Sequence, residues 1–359
     1  PAAMVFLVPY AFWRLFFHPS RYYGRSGEAA AAPPLGGDSR AARAPPTRAG
    51  SSVRKAQGRG LPDQGMDHGG RLLRRYLTRP GWGETCAGWA EEQQERRCRI
   101  SVQDLPAAAS GPRLVGGLDL SFVKGCRDRA VACLVVVDLG SGRVVWSRVR
   151  EVLVDAPYIP GYLAFREAPH MLQLLCELHA SHPQYWPQAV LVDANGILHA
   201  RGCGLASDLG VRAEFEAGLP AAAWIGVAKS FYYVDGLNEH QLRREVWDAW
   251  RKGRSSHMGQ ELTNGVAVPM RGKHGTCRDG SSTPLGDRLW GSVYAGWDAR
   301  DAVFVSVGHN VSQWTAVRVV DAAMGEGGEP APVWWADHLS RQRVAAAGAG
   351  EAWGRAARG

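Results

Sequence analysis

Residues 115–153 read VGGLDLSFVKGCRDRAVACLVVVDLGSGRVVWSRVREVL, and the fold can be predicted outward from this stretch. Each of its three apolar runs is rich in β-branched residues and therefore predicts a β-strand, at 115–123, 130–137 and 143–153. The turns between them are short and contain Lys124-Gly125 and Gly140-Ser141-Gly142. Strands joined by short turns pair antiparallel, so the stretch predicts a three-stranded meander.

The residues after the meander alternate between helix-like and strand-like patterns. Pro169 suits the first turn of a helix that runs to about Ala180, because the first turn needs no N–H from that residue. Short apolar runs predict further strands, each leading into a helix-like stretch, at 189–193, 223–228 and 303–307. A meander followed by β-α-β units predicts an α/β fold with a mixed sheet and flanking helices.

The first 88 residues differ in composition from the rest of the chain. They hold 13 Lys or Arg and 5 Asp or Glu, which accounts for the whole net charge of +8. We predict a disordered or targeting extension at 1–88, with translation from Met66 as an alternative, a catalytic domain at 89–343 and a disordered tail at 344–359. The polar, Gly/Ser-rich residues 253–286 predict a flexible loop.

Composition also bounds the compartment and the partners. The seven cysteines include no CxxC pair, so we expect reduced thiols and no zinc site. This favours the cytoplasm or the nucleus, with an organelle possible if residues 1–88 are a targeting peptide. No apolar segment is long enough to cross a membrane, so no membrane partner is expected. Because 89–359 is neutral in charge, composition alone does not argue for a nucleic-acid partner.

Three carboxylates and two other ionisable residues lie at or near the ends of apolar strand-like runs. They are Asp119, Glu167, Asp193, Lys229 and His309. Each alone is explained as a solvated strand end, a helix-start acid or a turn residue. Convergent carboxylates, however, are what a Mg²⁺ or Mn²⁺ site for phosphodiester hydrolysis requires, and a lysine would offset charge at the phosphate. His182, His199 and His240 lack metal-ligand spacing, so no catalytic role is predicted for them.

A stiff loop precedes Glu167. It reads Pro157-Tyr158-Ile159-Pro160-Gly161, with an aromatic ring between two prolines. Such a loop can wedge between bases and fill the gap beside a flipped nucleotide. The alternative is a rigid turn whose tyrosine packs on the core.

The sequence resembles the endonuclease V family over about residues 89–343. The matching segments occur in the family's order: GGLDLSFVKG at 116–125, APYIPGYLAFREAP at 156–169, LVDANGILHARGCGLASDLGV at 191–211, IGVAKS at 225–230, VSVGHNVS at 305–312 and EPAPVWWADHLSR at 329–341. The resemblance implies a ribonuclease H-like fold, which agrees with the mixed sheet predicted from the strand pattern.

The resemblance also implies roles for particular residues. Asp119, Glu167 and Asp193 match the metal-binding carboxylates, and Lys229 and His309 match further catalytic-site residues. Segments implied to bind nucleic acid include a wedge loop and the turns of a base pocket, namely Tyr158, Ile159, Pro160, Ala194, Gly196 and Gly204. The family usually has glycine where this chain has Ala194, which would matter if that position required a positive φ.

The implied activity is a Mg²⁺- or Mn²⁺-dependent endonuclease, acting as a monomer. It would cut the second phosphodiester 3′ to inosine in RNA or single-stranded DNA and leave a 3′-hydroxyl. Two alternatives remain at this point. One is a non-catalytic binder of inosine-containing nucleic acid, and the other is a ribonuclease H-like nuclease acting on structured DNA.

Overall fold

The computed structural model describes Leu73, Leu77 and residues 81–253, 256–272, 288–296, 301–325 and 328–348. The strands in these residues are β1 (Leu114–Phe122), β2 (Arg129–Asp138), β3 (Arg143–Leu153), β4 (Ala189–Val192), β5 (Ala223–Ala228), β6 (Ser256–His257), β7 (Gln260–Glu261), β8 (Val266–Arg271), β9 (Leu289–Ala295) and β10 (Val303–His309). The α-helices are α1 (Trp82–Cys98), α2 (Pro106–Ala109), α3 (Leu163–Ser181), α4 (Leu205–Phe215), α5 (Glu239–Arg251), α6 (Gln313–Ala322) and α7 (Ala331–Gly348).

Eight of the strands form a mixed sheet in the order β3-β2-β1-β4-β5-β10-β9-β8. The first three pair antiparallel, so the predicted meander is confirmed. β1 is parallel to β4, and β4 is parallel to β5. β10 is antiparallel to β5. The carboxyl ends of β1, β4 and β5 therefore lie at the same edge of the sheet, and the end of β10 lies at the opposite edge.

Helices cover both faces of the sheet. On one face, Leu118 and Leu120 of β1 pack in a cluster with Met171 and Leu175 of α3 and with residues of α4. On the other face, α7 crosses β1 and β2, and its Ala336 packs against Val135 and Cys133. These contacts confirm the predicted α/β class, a mixed sheet with flanking helices.

The start of α3 differs from the prediction. The helix begins at Leu163, so Pro169 lies inside it rather than in its first turn, and Glu167 lies within the helix rather than before it. Pro169 has no N–H to donate to the carbonyl of Phe165, which is the usual cost of a proline inside a helix. Burial of the Met171, Leu174, Leu175 and Leu178 face keeps the helix continuous.

The ends of the folded region also differ from the predicted boundaries. α1 begins at Trp82, seven residues earlier than predicted, and its Cys86 is buried against Ile159. α7 continues to Gly348 through an alanine-rich stretch that favours helix. Within the predicted loop at 253–286, the run Val266–Arg271 forms the edge strand β8. Residues 254–255 and 273–286 of that loop, nearly all of 1–80 and residues 349–359 lie outside the described residues. In the part of the chain that is described, no helix has the length and apolar character needed to cross a bilayer.

Gly117 sets how closely α7 approaches β1. A Cβ atom at Gly117 would lie 2.0 Å from the carbonyl oxygen of Pro332, at the start of α7. At the neighbouring Gly116, a Cβ atom would lie 3.3 Å from the Pro187 side chain. Alanine at position 117 would therefore have to displace helix backbone, whereas alanine at position 116 only crowds a proline ring.

We predict that Gly117→Ala lowers the free energy of unfolding by about 3 kcal/mol, the upper end for overpacking, and that Gly116→Ala lowers it by about 1 kcal/mol or less. Urea denaturation of both variants measures the two values. Equal losses would contradict the close helix–strand contact as the cause.

Candidate active site

Ionisable side chains from four elements meet at the edge where β1, β4 and β5 end. Asp119 lies in β1 on the face covered by α7, and Asp193 directly follows β4. Glu167 comes from α3. Lys229, the residue after β5, joins them. The parallel order of the three strands is the reason that residues far apart in sequence arrive together.

Two further acids belong to this cluster, one just before α7 and one within it, and neither was predicted from the sequence. The Lys229 Nζ atom lies 3.0 Å from Glu329 Oε2, 3.4 Å from Asp193 Oδ2 and 3.6 Å from Asp337 Oδ2. Asp337 lay inside the quoted segment 329–341. The available signal was an acid beside Val333, Ala336 and Ser340, which form the buried face of this helix.

Hydrogen bonds fix the orientation of Asp119. Its Oδ2 atom accepts from the hydroxyls of Ser121 at 3.0 Å and Ser340 at 2.7 Å. Ser340 is fully buried and lies one turn after Asp337 on α7. The contact therefore ties the acid of β1 to the helix that supplies Asp337.

The carboxylates raise one another's pKa values. Burial, followed by repulsion from Asp119, raises the pKa of Glu167 to about 8. Burial raises the pKa of Asp193 to about 6 although Lys229 opposes the change, and burial also raises the pKa of Asp119. Burial alone would lower the pKa of Lys229, but the attraction of Asp193, Glu329 and Asp337 outweighs it and raises that pKa.

The chemistry of this donor set fits a divalent cation. The cluster holds five carboxylates and one lysine, so negative charge is in excess, and carboxylate oxygens are the ligands that Mg²⁺ and Mn²⁺ prefer. As positioned, no three His, Cys, Asp or Glu side chains among the described residues have their donor atoms arranged around one metal-sized point. The ammonium group of Lys229 bridges three of the acids instead. Binding a cation would therefore require these side chains to rearrange.

The structure does not bring His309 to this cluster. Because β10 is antiparallel to β5, His309 pairs with Trp224 at the start of β5, at the opposite edge of the sheet. Its Nδ1 atom accepts from the backbone N–H of Ser101 at 3.0 Å, and its Nε2 atom lies 3.2 Å from Glu214 Oε2. The side chain is buried and ties three segments together, which explains it without a catalytic role.

A cavity of about 470 Å³ opens beside the acid cluster. Its lining combines the acid–lysine pair, the stiff loop, the turn after β4 and an aromatic run after β5, and includes Tyr158, Gly161, Asp193, Ala194, Asn195, His199, Gly204, Lys229, Ser230, Phe231 and Tyr232. Sequence reasoning gave no role to His199 or Tyr232, although their rings pack 5.3 Å apart in this wall.

The stiff loop presents one side chain and buries another. Tyr158 is 53% exposed at the cavity, which rules out a tyrosine packed on the core. Ile159 is 1% exposed and packs with Cys86 and Tyr162, so the structure does not support its predicted contact with nucleic acid. Pro160, the next residue, is half-buried.

The turn after β4 explains the small residues predicted to form a pocket. Ala194 lines the cavity without a positive φ, so alanine costs nothing there in backbone strain. Gly204 also lines it, and a Cβ atom at Gly204 would lie 2.5 Å from the carbonyl oxygen of Asn195. Gly196 lies behind the wall, where a Cβ atom would meet the carbonyl oxygen of Val307 at 2.0 Å. Packing, rather than a ligand, therefore requires glycine at position 196.

Comparison with known proteins gives consistent matches. The family model described as Endonuclease V matches residues 94–338. The human protein named Endonuclease V is 37% identical over 266 residues, which are 73% of this chain and 84% of that protein. The crystal structure of the catalytic domain of human endonuclease V has a TM-score of 0.60 and 34% identity, covering 74% of this chain and 98% of that one. An endonuclease V from Ciona intestinalis, in complex with a 24mer DNA containing an inosine followed by a ribo-adenosine, has a TM-score of 0.59 and 28% identity, covering 74% and 99%.

The raised pKa of Glu167 gives a prediction for stability against pH. Between pH 4.5 and about 8 the folded protein keeps a proton that the unfolded chain has lost, so the free energy of unfolding falls as pH rises through this range. Glu167→Gln removes the buried charge. Above pH 8, with EDTA present, we expect this variant to be more stable than the wild type by at least about 1 kcal/mol.

Urea denaturation at pH 6 and pH 9 measures this difference. Glu95→Gln, at an exposed glutamate of α1, is the matched control and should change neither value. A Glu167→Gln variant that is less stable than the wild type at pH 9 would show that the carboxylate is not penalised by burial.

Proposed function

The chain belongs to the endonuclease V family, whose fold is ribonuclease H-like, and it is an endonuclease that hydrolyses phosphodiester bonds; from this premise we propose that its site uses Mg²⁺, or Mn²⁺, to cleave nucleic acid at inosine. We propose the second phosphodiester 3′ to inosine as the position cut, with a 3′-hydroxyl left behind. The observation that carries the proposal is the cluster of buried, mutually repelling carboxylates beside a cavity that Tyr158 overhangs.

Asp119, Glu167, Asp193 and Asp337 are the residues that would hold the cation. When bound, it supplies an activated water and stabilises negative charge on the leaving oxygen. The chain's own residues do the rest. The ammonium group of Lys229, held by Glu329 at 3.0 Å, offsets negative charge where the phosphate approaches the acids. Ser340 and Ser121 keep Asp119 turned toward the cluster.

The cavity suits a base that has left its stack. Ala194 and Gly204 bring backbone close to its interior, and backbone groups can pair with the N1–H donor and O6 acceptor of hypoxanthine. Adenine presents the opposite pair at these atoms, so it would leave buried groups unpaired. Tyr158, exposed at the rim, can stack in the gap that the extruded base leaves. The inosine in the DNA of the Ciona complex agrees with this assignment.

A non-catalytic binder is the weaker alternative. Without a cation, the ionised carboxylates of the cluster, of which Asp193 lines the cavity, would repel the phosphates of any bound strand. This weakens binding rather than supporting it. The acid cluster therefore has a clear use in hydrolysis and none in simple recognition. We propose inosine-containing RNA as substrate, with single-stranded DNA as a second one, and a monomer as the active form.

The specificity prediction concerns matched oligonucleotides that differ only in inosine or adenosine at one position. With Mg²⁺ present, we expect kcat/KM to be at least about a hundredfold higher for inosine, because a site that hydrogen-bonds one pattern strongly rejects the other. The assay follows cleavage of each sequence as RNA and as DNA. Comparable cleavage of both bases would refute the proposed specificity.

A matched pair of substitutions separates the acid cluster from the other edge of the sheet. We expect Asp337→Asn to lower kcat by about a hundredfold or more, since it removes one of the carboxylates that would hold the cation. His309→Gln should leave kcat within about threefold per folded molecule, which corresponds to less than 1 kcal/mol in the barrier. Single-turnover cleavage of an inosine oligonucleotide gives both rates. A larger loss of kcat in His309→Gln than in Asp337→Asn would show that His309 takes part in catalysis.

A further inference from the structure

The carbonyl oxygen of Gly161 collects three side-chain donors. Gln93 donates to it from Nε2 at 3.2 Å, His199 Nε2 lies 3.1 Å away, and Arg201 donates from Nη2. Nδ1 of His199 accepts from the backbone N–H of Arg201, which leaves Nε2 as the nitrogen that carries the proton. A carbonyl oxygen has two lone pairs, so three donors are more than its usual number. Side chains from two other segments, α1 and residues 199–201, therefore hold the carbonyl group of Gly161.

Gln93 connects these segments. Besides Gly161, its Nε2 atom donates to the carbonyl oxygen of Cys203 at 3.0 Å, and its Oε1 atom accepts from Arg201 Nε at 2.6 Å. The residue belongs to α1 and is 1% exposed. One amide thus joins the loop before α3 to the turn at 199–203, and both line the cavity.

We call the contacts of Gln93, His199 and Arg201 with the Gly161 carbonyl the clamp. The clamp leaves one side chain of the loop outside the core. Arg201 stacks over the ring of Tyr162 at 4.2 Å, and Ile159 is buried with Cys86. Gly161 has φ +84°, and a Cβ atom there would lie 3.1 Å from Arg201. Tyr158 alone of these residues is exposed. Two residues after Gly161, the chain enters α3, which carries Glu167.

We propose that Gln93 is a positioning residue, which fixes Tyr158 at a set place relative to Glu167 by holding the carbonyl of Gly161. This inference rests on the proposed function, because the positioned ring is the one that fills the gap beside an extruded base. Gln93 also lines the cavity, but its amide is bonded to Gly161, Cys203 and Arg201, so it acts through the loop and not on the reacting atoms. Its loss should therefore matter most where base extrusion costs stacking and pairing, that is, on paired substrates.

Gln93→Met keeps the side-chain length and removes its hydrogen bonds, and Gln94→Met is the matched control because Gln94 is exposed on the same helix. Gln93→Glu is a second variant that retains the acceptor for Arg201 but cannot donate to Gly161. Hydrogen exchange of peptides covering 157–162 tests the clamp directly. We expect exchange there to quicken by about tenfold or more in both Gln93 variants, the equivalent of one buried hydrogen bond, and not in Gln94→Met.

A double-mutant cycle tests the positioning role. On inosine in a duplex, Gln93→Met should lower kcat/KM by about tenfold, with a loss under about threefold on the same sequence unpaired. In a Tyr158→Ala background the same substitution should cost less than about twofold, since the ring it positions is already absent.

Unchanged exchange at 157–162 overturns the clamp. Two results overturn the positioning role and make Gln93 a general packing residue. One is an equal loss of kcat/KM on paired and unpaired substrates. The other is a Gln93→Met loss of kcat/KM that is as large in the Tyr158→Ala background as in the wild type. If the wild type cleaves no inosine substrate, the proposed function fails and the positioning role with it. Hydrogen exchange then still decides whether Gln93 holds the loop.

Discussion

Mutual repulsion among buried carboxylates is the constraint on which the rest of this structure depends. Burial raises the pKa values of Asp119, Glu167 and Asp193. One ammonium group, that of Lys229, bridges Asp193 to Glu329, which precedes α7, and to Asp337 of α7. Such a cluster opposes folding, because ionised carboxylates out of water are costly unless paired. It persists only because the surrounding sheet and helices hold it, as is usual for functional sites.

The fold supplies this support in a few specific contacts. Parallel β1, β4 and β5 bring their ends to one edge. Gly117 lets α7 approach β1 closely enough for Ser340 to hydrogen-bond Asp119. The early start of α3 carries Glu167 into the buried interior. The loop that leads into α3 also presents Tyr158 at the cavity. Tyr158 and Glu167 are therefore joined by one short, stiff segment of chain.

The sequence predicted the strands and most of the site, and its failures have physical reasons. Apolar β-branched runs identify strands by local pattern, and so the meander and the positions of Asp119 and Asp193 were predictable. The edge at which His309 lies depends on the direction of β10, which no local pattern reports. Asp337 sits on a helix whose packing on β1 is a long-range contact. Pro169 suggested a helix start because burial of the later leucines, which overrides its cost, is a tertiary effect.

Calorimetric titration of the metal-free protein with Mn²⁺ near pH 7, in two buffers of different ionisation heat, tests the central claim most directly. Glu167, with a pKa of about 8, is mostly protonated at this pH and must lose its proton when a cation joins the cluster. The account predicts release of about one proton per bound Mn²⁺, lost in Glu167→Gln. Binding without proton release, or release that is unchanged in that variant, would contradict the assignment of this cluster as the cation site.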